Sequence, residues 1–469
     1  MNKLTRFIKT SGVYFIGNVL SKLISFILLP LYTYKISPEQ YGEFDVIITI
    51  MNFLIPILFF QIWDGMFRFT FDKKKEKDKY VIVSNSLFIS FIGILLCSVS
   101  IVIFYHVFPF KNVWLVFFYG ISFALQYHYS YIARAFLKNN LFVFTGFINS
   151  LLSAFFNIIL ILYFHMGIES LYISPIIGCF VQIFIIEISL NPLKNLNIKV
   201  LDFKLIKEML RFSIPLCIAT ISYWLLSGYT KVVISKQLGT YENGLYAVAN
   251  KFSVMISLII SVFQYAWNEM AYSMAADDNR IDSYRKSIQY ILQIVLLGSG
   301  IFMLFTKIVF PYFVNASYKD ALLIVPLSII GVAINSFAGF LGTIFMTEKQ
   351  TRYILWTTII SAIVNLIGSF FIVAAWGLQG AIGTLCFAFI VLAFMRLRAL
   401  EALFHFKLSK KNIIYILLLI VSVYLYYSFT NPFALIICIV VYSIILLYSL
   451  KDIIHPFLYN YWRKVGIKK

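Results

Sequence analysis

Apolar runs of about 20 residues follow one another from end to end of the chain, separated by short polar stretches. The runs are apolar around the whole helix circumference rather than along one stripe, the pattern of a helix with no water-facing side. Each is long enough to cross a hydrocarbon core of about 30 Å. A membrane β-barrel would show runs of about ten alternating residues, and none occurs. The pattern predicts an all-α polytopic membrane protein of about fourteen transmembrane helices. These lie near 11–34, 44–66, 80–107, 112–133, 141–165, 169–190, 212–235, 244–268, 287–311, 320–346, 353–375, 377–395, 412–430 and 432–450. The first run carries Lys22 and lacks a small-residue cleavage site, so it is expected to remain as a helix rather than act as a signal peptide.

Composition agrees: of 469 residues 61% are hydrophobic and 13% charged, against roughly half and a quarter in soluble domains. The net charge of +19 changes the picture through its placement. With both termini on one side, about 30 of the 39 basic residues fall in segments facing that side; the opposite side holds Lys35, Lys111, Lys236 and Lys319. That asymmetry is the positive-inside pattern and predicts cytoplasmic termini, so the charge is topology rather than a nucleic-acid footprint. The five cysteines all lie in apolar runs without metal spacing, and no metal or other cofactor is expected.

A polar island, "YKISPEQYGEFDVI" (34–47), interrupts the apolar pattern and has a twin, "SKQLGTYENGLYAV" (235–248). Lys35 aligns with Lys236 and, across a one-residue gap, Gly42 with Gly244. "QIWDGM" (61–66) answers "QYAWNEM" (264–270), and the segment from Asn157 answers that from Asn365. The chain therefore reads as two six-helix halves, 1–190 and 212–400, joined by a basic amphipathic cytoplasmic connector, 191–211. Residues 401–469 supply two extra helices and a basic tail. An even number of spans per half makes these parallel repeats. The islands read as outward turns, not as sites of chemistry.

"LPLYTYKISPEQYGEF", "LGTYENGLYAVANKF" with Trp267, and "TEKQTRY…N…WGLQGAIGT" resemble the Wzx-type polysaccharide and oligosaccharide flippases of the multidrug/oligosaccharidyl-lipid/polysaccharide exporter superfamily, over about residues 1–400. The resemblance implies two pseudo-symmetric bundles around a central cavity that opens alternately to the two sides. It implies a bacterial inner-membrane protein that flips an undecaprenyl-diphosphate-linked oligosaccharide for O-antigen, capsule or teichoic-acid assembly. It also points to the polysaccharide polymerase and other pathway proteins as partners beside the membrane lipids.

Ionisable residues at bilayer depth are costly, about 2.5–3.5 kcal/mol on insertion scales, and face interiors or wet cavities. Here they gather on the first, second, seventh and eighth spans. Lys22, Lys231, Lys251 and Arg68 are expected to form a cationic wall for an anionic diphosphate, with Asp64 and Glu269 as candidate ion-coupling acids. His128 is expected to be packed, Glu187 to snorkel, and Asn18, Gln61, Asn157, Gln264 and Asn365 to bond neighbouring helices. Tyr14, Tyr223, Trp224 and Tyr229 are candidate sugar-stacking rings.

No Walker-type loop is present, so nucleotide-driven transport is not expected. A membrane glycosyltransferase or polymerase would want a large outer loop bearing acids or arginines, whereas the longest here is about ten residues. The competing reading is an ion-coupled multidrug exporter of the related type. Such exporters carry acidic pockets and usually twelve spans, so cationic depth charges and two extra helices favour the flippase.

Overall fold

The computed structural model describes residues 19, 22–107, 112–197, 200–273, 280–409 and 412–451. Among them every regular element is helical. By packing the chain divides into two compact units, Met1–Gly244 and Leu245–Lys469.

In the first unit, α1 (Leu29–Lys35) ends the first span and α2 (Pro38–Leu58) begins the second. The polar island is thus mostly helix. Ser37 Oγ accepts from the Gln40 amide at 3.4 Å, Gln40 Oε1 accepts from the Ser37 amide at 3.5 Å, and Pro38 occupies the first turn. This capping box starts the helix before the apolar run does. The second span breaks after Leu58 and resumes as α3 (Ile62–Thr70). Then follow α4 (Glu76–Val107), α5 (Val113–Ala135), α6 (Asn139–Leu162) and α7 (Glu169–Leu190).

The segment after α7 is stitched to the start of α4. Tyr80 donates to the Leu190 carbonyl at 2.6 Å, Asn85 Nδ2 to that of Val200 at 3.2 Å, and the Asp202 amide donates to Asn85 Oδ1 at 2.8 Å. Asp202 then caps α8 (Phe203–Ser227), accepting from the amides of Lys204 and Leu205. Residues 203–211 of the expected connector are therefore the opening turns of the seventh span. That span also breaks, at Gly228, before α9 (Tyr229–Gln237); α10 (Thr240–Ser273) begins in this unit.

The second unit holds the rest of α10, α11 (Arg280–Phe313), a 3₁₀ turn (Ala316–Leu323), α12 (Val325–Thr347), α13 (Thr351–Phe404), α14 (Asn412–Ser428) and α15 (Pro432–Ser449). Glu348, in the "TEKQ" stretch, binds Tyr284 (2.9 Å) and Arg280 (3.2 Å) and so ties the end of α12 to α11. The C-terminal pair is anchored to the same helix. Gly300 leaves room for Ser422, and Lys307 donates to the carbonyls of Tyr426 and Phe429 at the end of α14.

Although α13 runs unbroken in hydrogen-bond pattern for 54 residues, it is two helices. Arg396 donates to Thr357 (3.2 Å), to Thr358 (3.1 Å) and to the Ala338 carbonyl (2.6 Å). A straight helix would hold residues 357 and 396 about 58 Å apart. The chain reverses at Gly377, with φ +57° and ψ −144°. Nothing lies within 4 Å of the position a Cβ would take there, so the demand for glycine is conformational rather than steric. Gly377→Ala is expected to cost about 1–3 kcal/mol, read as a lowered melting temperature in detergent.

Ten described helices are long and apolar enough to span a membrane. The remaining expected spans are accounted for. The second leg of α13 shares its helix, α14 is a shorter apolar helix, α5 carries Gln126, His128 and Arg134, and the first span is described only in part. The fold class read from the sequence is the one observed: an all-α, multi-pass membrane protein with two repeated bundles.

Candidate functional site

Among the described residues of the first unit, the break in the second span is the one place where two successive residues take left-handed backbone. Pro56 removes a helix donor, and Phe60 and Gln61 adopt left-handed φ of +53° and +47°. The Gln61 amide recovers a bond to the Pro56 carbonyl at 2.8 Å. Irregular backbone at membrane depth is tolerated where protein or a cavity satisfies it. The Gln61 side chain in turn pins the break to its surroundings, donating to Asp64 (2.7 Å) and accepting from Thr220 on α8 (3.1 Å). Asp64 sits in the first turn of α3, where the helix dipole favours a carboxylate, and meets Tyr131 and Arg134 from α5.

Tyr131 and Arg134 belong to a stripe along one face of α5: Phe123, Gln126, Tyr127, Ser130, Tyr131 and Arg134. With residues of α6 and α7 this stripe lines a cavity of about 450 Å³ inside the first unit. The wall is a mesh of amides. Gln182 Oε1 accepts from Gln126 (2.9 Å) and Asn149 (2.8 Å), and Gln182 Nε2 donates to Ser130 (3.0 Å). Arg134 lies over the rings of Phe67 and Tyr131, 4.9 Å from each centroid. Rings, amides, hydroxyls and one guanidinium thus converge on one space, backed by Asp64.

None of the charged residues expected to form one wall is among the residues lining this cavity. Asp64 backs the cavity. Arg68, one turn on, is exposed and pairs with Asp72 at 2.7 Å. Lys231 on α9 is largely buried and pairs with Asp45 of α2 at 2.8 Å, while Asn243 donates to the other Asp45 oxygen at 3.2 Å and to the Gly42 carbonyl at 2.9 Å. Lys22 is exposed on the first span. Lys251 is partly buried in the second unit. The side chain of Glu269 lies outside the described residues, as do Tyr14 and Asn18.

Other candidates are packed. His128 is fully buried, with Ser86 at 2.9 Å from Nε2 and Ser90 at 2.6 Å from Nδ1. Glu187, expected to snorkel, instead accepts from the Tyr129 hydroxyl (2.9 Å) and from the Leu193 amide (3.1 Å) just past the end of α7. Trp224 donates to the Thr49 carbonyl and stacks on Phe53 at 4.3 Å.

The twin islands meet. A Cβ on Gly42 would lie 1.9 Å from the Thr240 carbonyl oxygen, and one on Gly244 would lie 2.0 Å from that of Pro38. Only glycine on both sides lets these backbones touch.

The sequence profile of the polysaccharide biosynthesis protein family matches residues 7–267, more than half of the chain. The chain belongs to that family. It is a transporter family of the exporter superfamily named above, not one of catalysts, and the chain is accordingly a membrane transporter of flippase type. No curated protein matches its sequence.

Its fold is shared with solved members of the superfamily. An inward-facing multidrug resistance transporter aligns with TM-score 0.70 at 14% identity, covering 82% of this chain and 94% of that one. A lipid II flippase in an inward closed conformation aligns with TM-score 0.67 at 16% identity, over 95% and 100%. A transporter from Pyrococcus furiosus, described as having a binding pocket of reversed polarity, aligns with TM-score 0.55 at 14%, over 90% and 96%.

The α5 stripe escaped the sequence reading although its signal was present. Positions 123, 126, 127, 130, 131 and 134 follow the spacing of one helix face, and their mixture of amide, hydroxyl and ring is foreign to a lipid-facing surface.

Proposed function

We propose that this protein flips a polyprenyl-diphosphate-linked oligosaccharide from the inner to the outer leaflet of a bacterial cytoplasmic membrane by alternating access, with both termini cytoplasmic. The cavity of the first unit carries the reading. Tyr127 and Tyr131 offer faces to sugar C–H groups, while the amide oxygens of Gln126 and Asn149 offer acceptors to sugar hydroxyls on a wall that buried Gln182 holds in place. Arg134 offers a planar, permanently charged donor fork to a phosphate. No carboxylate is among the residues lining this cavity, and a cationic drug would want one there. A lipid II flippase of the same fold, aligned over 95% of this chain, supports a lipid-linked cargo.

Lys231 and Arg68 hold carboxylate partners; Lys22 and Lys251 are further candidate contacts for the diphosphate, and Asp64 and Glu269 candidate coupling acids. O-antigen, capsule or teichoic-acid assembly is the pathway class such a cargo serves, and its polymerase is the natural protein partner.

The test is reconstitution in vesicles with a fluorescent polyprenyl-diphosphate oligosaccharide. Wild-type protein should move the label to the opposite leaflet. Arg134→Gln should slow it about 10- to 100-fold per folded protein, the loss of a hydrogen bond to a charged group worth roughly 1.5–3 kcal/mol. Efficient export of ethidium without movement of the lipid-linked sugar would instead make the protein a multidrug exporter.

A further inference from the structure

A second polar cavity, of about 410 Å³, lies in the second unit and has no place in the reading above. Three helix ends meet there: the start of α11, the start of α14 and the end of α15. Its lining is basic, with Arg285, Lys286, Lys407 and Lys451. Asp282 takes up part of this charge, pairing with Arg285 at 2.5 Å and Lys286 at 2.7 Å. No described carboxylate pairs with Lys407 or Lys451, and the Lys451 ammonium rests 4.5 Å from the Tyr448 ring centroid. The cavity therefore keeps an excess of about three positive charges at the edge of apolar helices, where anionic headgroups are attracted.

Two further features narrow the ligand. One is Gln293, which lines the cavity, is 6% exposed, and has an Oε1 atom with no hydrogen-bond partner. A buried acceptor left unpaired is costly, and a ligand hydroxyl reaching it would satisfy it. One turn away, Gln289 is locked by a reciprocal amide pair with Asn412 (2.5 and 3.1 Å), which fixes the cavity wall between α11 and α14. The other feature is the apolar surface beside the cavity. Ile413, Ile414 and Leu417 on α14 and Ile444 and Leu447 on α15 are all more than half exposed, a surface for acyl chains rather than for a free anion.

We propose that this cavity binds the headgroup of an anionic phospholipid, with the phosphate among Arg285, Lys407 and Lys451 and a headgroup hydroxyl donating to Gln293 Oε1. Phosphatidylglycerol has this combination of a phosphodiester and free hydroxyls. The site shares no lining residue with the cavity assigned to the transported cargo and does not depend on what that cargo is.

Native mass spectrometry of the full chain in detergent, titrated with phosphatidylglycerol or phosphatidylcholine, tests it. Phosphatidylglycerol should be retained as a single tight adduct, and phosphatidylcholine should not. Lys407→Gln with Lys451→Gln should weaken retention at least tenfold, whereas Lys407→Arg with Lys451→Arg should keep it. Gln293→Leu should erase the preference for phosphatidylglycerol over phosphatidic acid, which lacks the headgroup hydroxyls. Equal retention by wild type and the glutamine pair would overturn the proposal. So would thermal protection by millimolar inorganic phosphate equal to that by the lipid, which would make the site one for a free anion. Displacement of phosphatidylglycerol by an equal concentration of polyprenyl diphosphate would likewise overturn it by assigning the cavity to the cargo.

Discussion

Gly42→Val is expected to lower stability by about 3 kcal/mol or more through overpacking against backbone. Its Cβ would have to share space with the Thr240 carbonyl oxygen at 1.9 Å and the Gly244 amide nitrogen at 2.6 Å. Neither is the end of a flexible side chain, so relief requires the start of α10 to shift bodily away from α2. That shift would also stretch the bonds from Asn243 to the Gly42 carbonyl and to Asp45. Melting of the purified protein in detergent measures the loss. Gly298→Ala is the control: no atom lies within 4 Å of its Cβ position on α11, and a helical alanine should gain roughly 0.5–1 kcal/mol. Equal melting temperatures for Gly42→Val and wild type would mean that the two helix starts are not in contact.

The pair beside that contact should show the second large effect. Asp45 and Lys231 have side chains 21% and 16% exposed, and each is the other's counter-charge. Asp45→Asn or Lys231→Met alone leaves a largely buried charge without its partner, at a cost of about 2–4 kcal/mol. The double variant removes both charges and should cost less than the sum, with a coupling of at least about 1 kcal/mol. Additive losses in melting experiments would show that the ion pair contributes nothing. In transport assays the same cycle distinguishes two roles for Lys231. If it only balances Asp45, the double variant recovers flipping; if it also touches the diphosphate, flipping stays low while stability returns.

Lys231 also shows where sequence reading stops. Its depth in an apolar run was legible, because a cation there stands out against Val and Ile. Its partner was not, since Asp45 sits in a polar island 186 residues away and looks like a turn residue. The same holds for the break in the second span. "FLIPILFFQIW" reads as a continuous apolar run, with Pro56 the only hint of irregularity. The left-handed backbone of Phe60 and Gln61 is held by Thr220 from another helix, and no local pattern reports it. Spans and repeats were legible because lipid imposes a strong, periodic constraint on side chains. Contacts between helices follow from packing, which obeys no such period.

The reversal at Gly377 carries a consequence of a different kind. As one straight rod, 54 residues would reach about 81 Å, nearly three times the depth of a hydrocarbon core. Folded at Gly377, the same residues make two crossings and return the chain to the side from which α13 began. One residue without a side chain thus sets the parity of the count. Were the turn lost and the segment to cross once, everything after Phe404 would be delivered to the opposite face of the membrane. The basic cavity at the ends of α11, α14 and α15 could then not assemble, because its helix ends would lie on different sides.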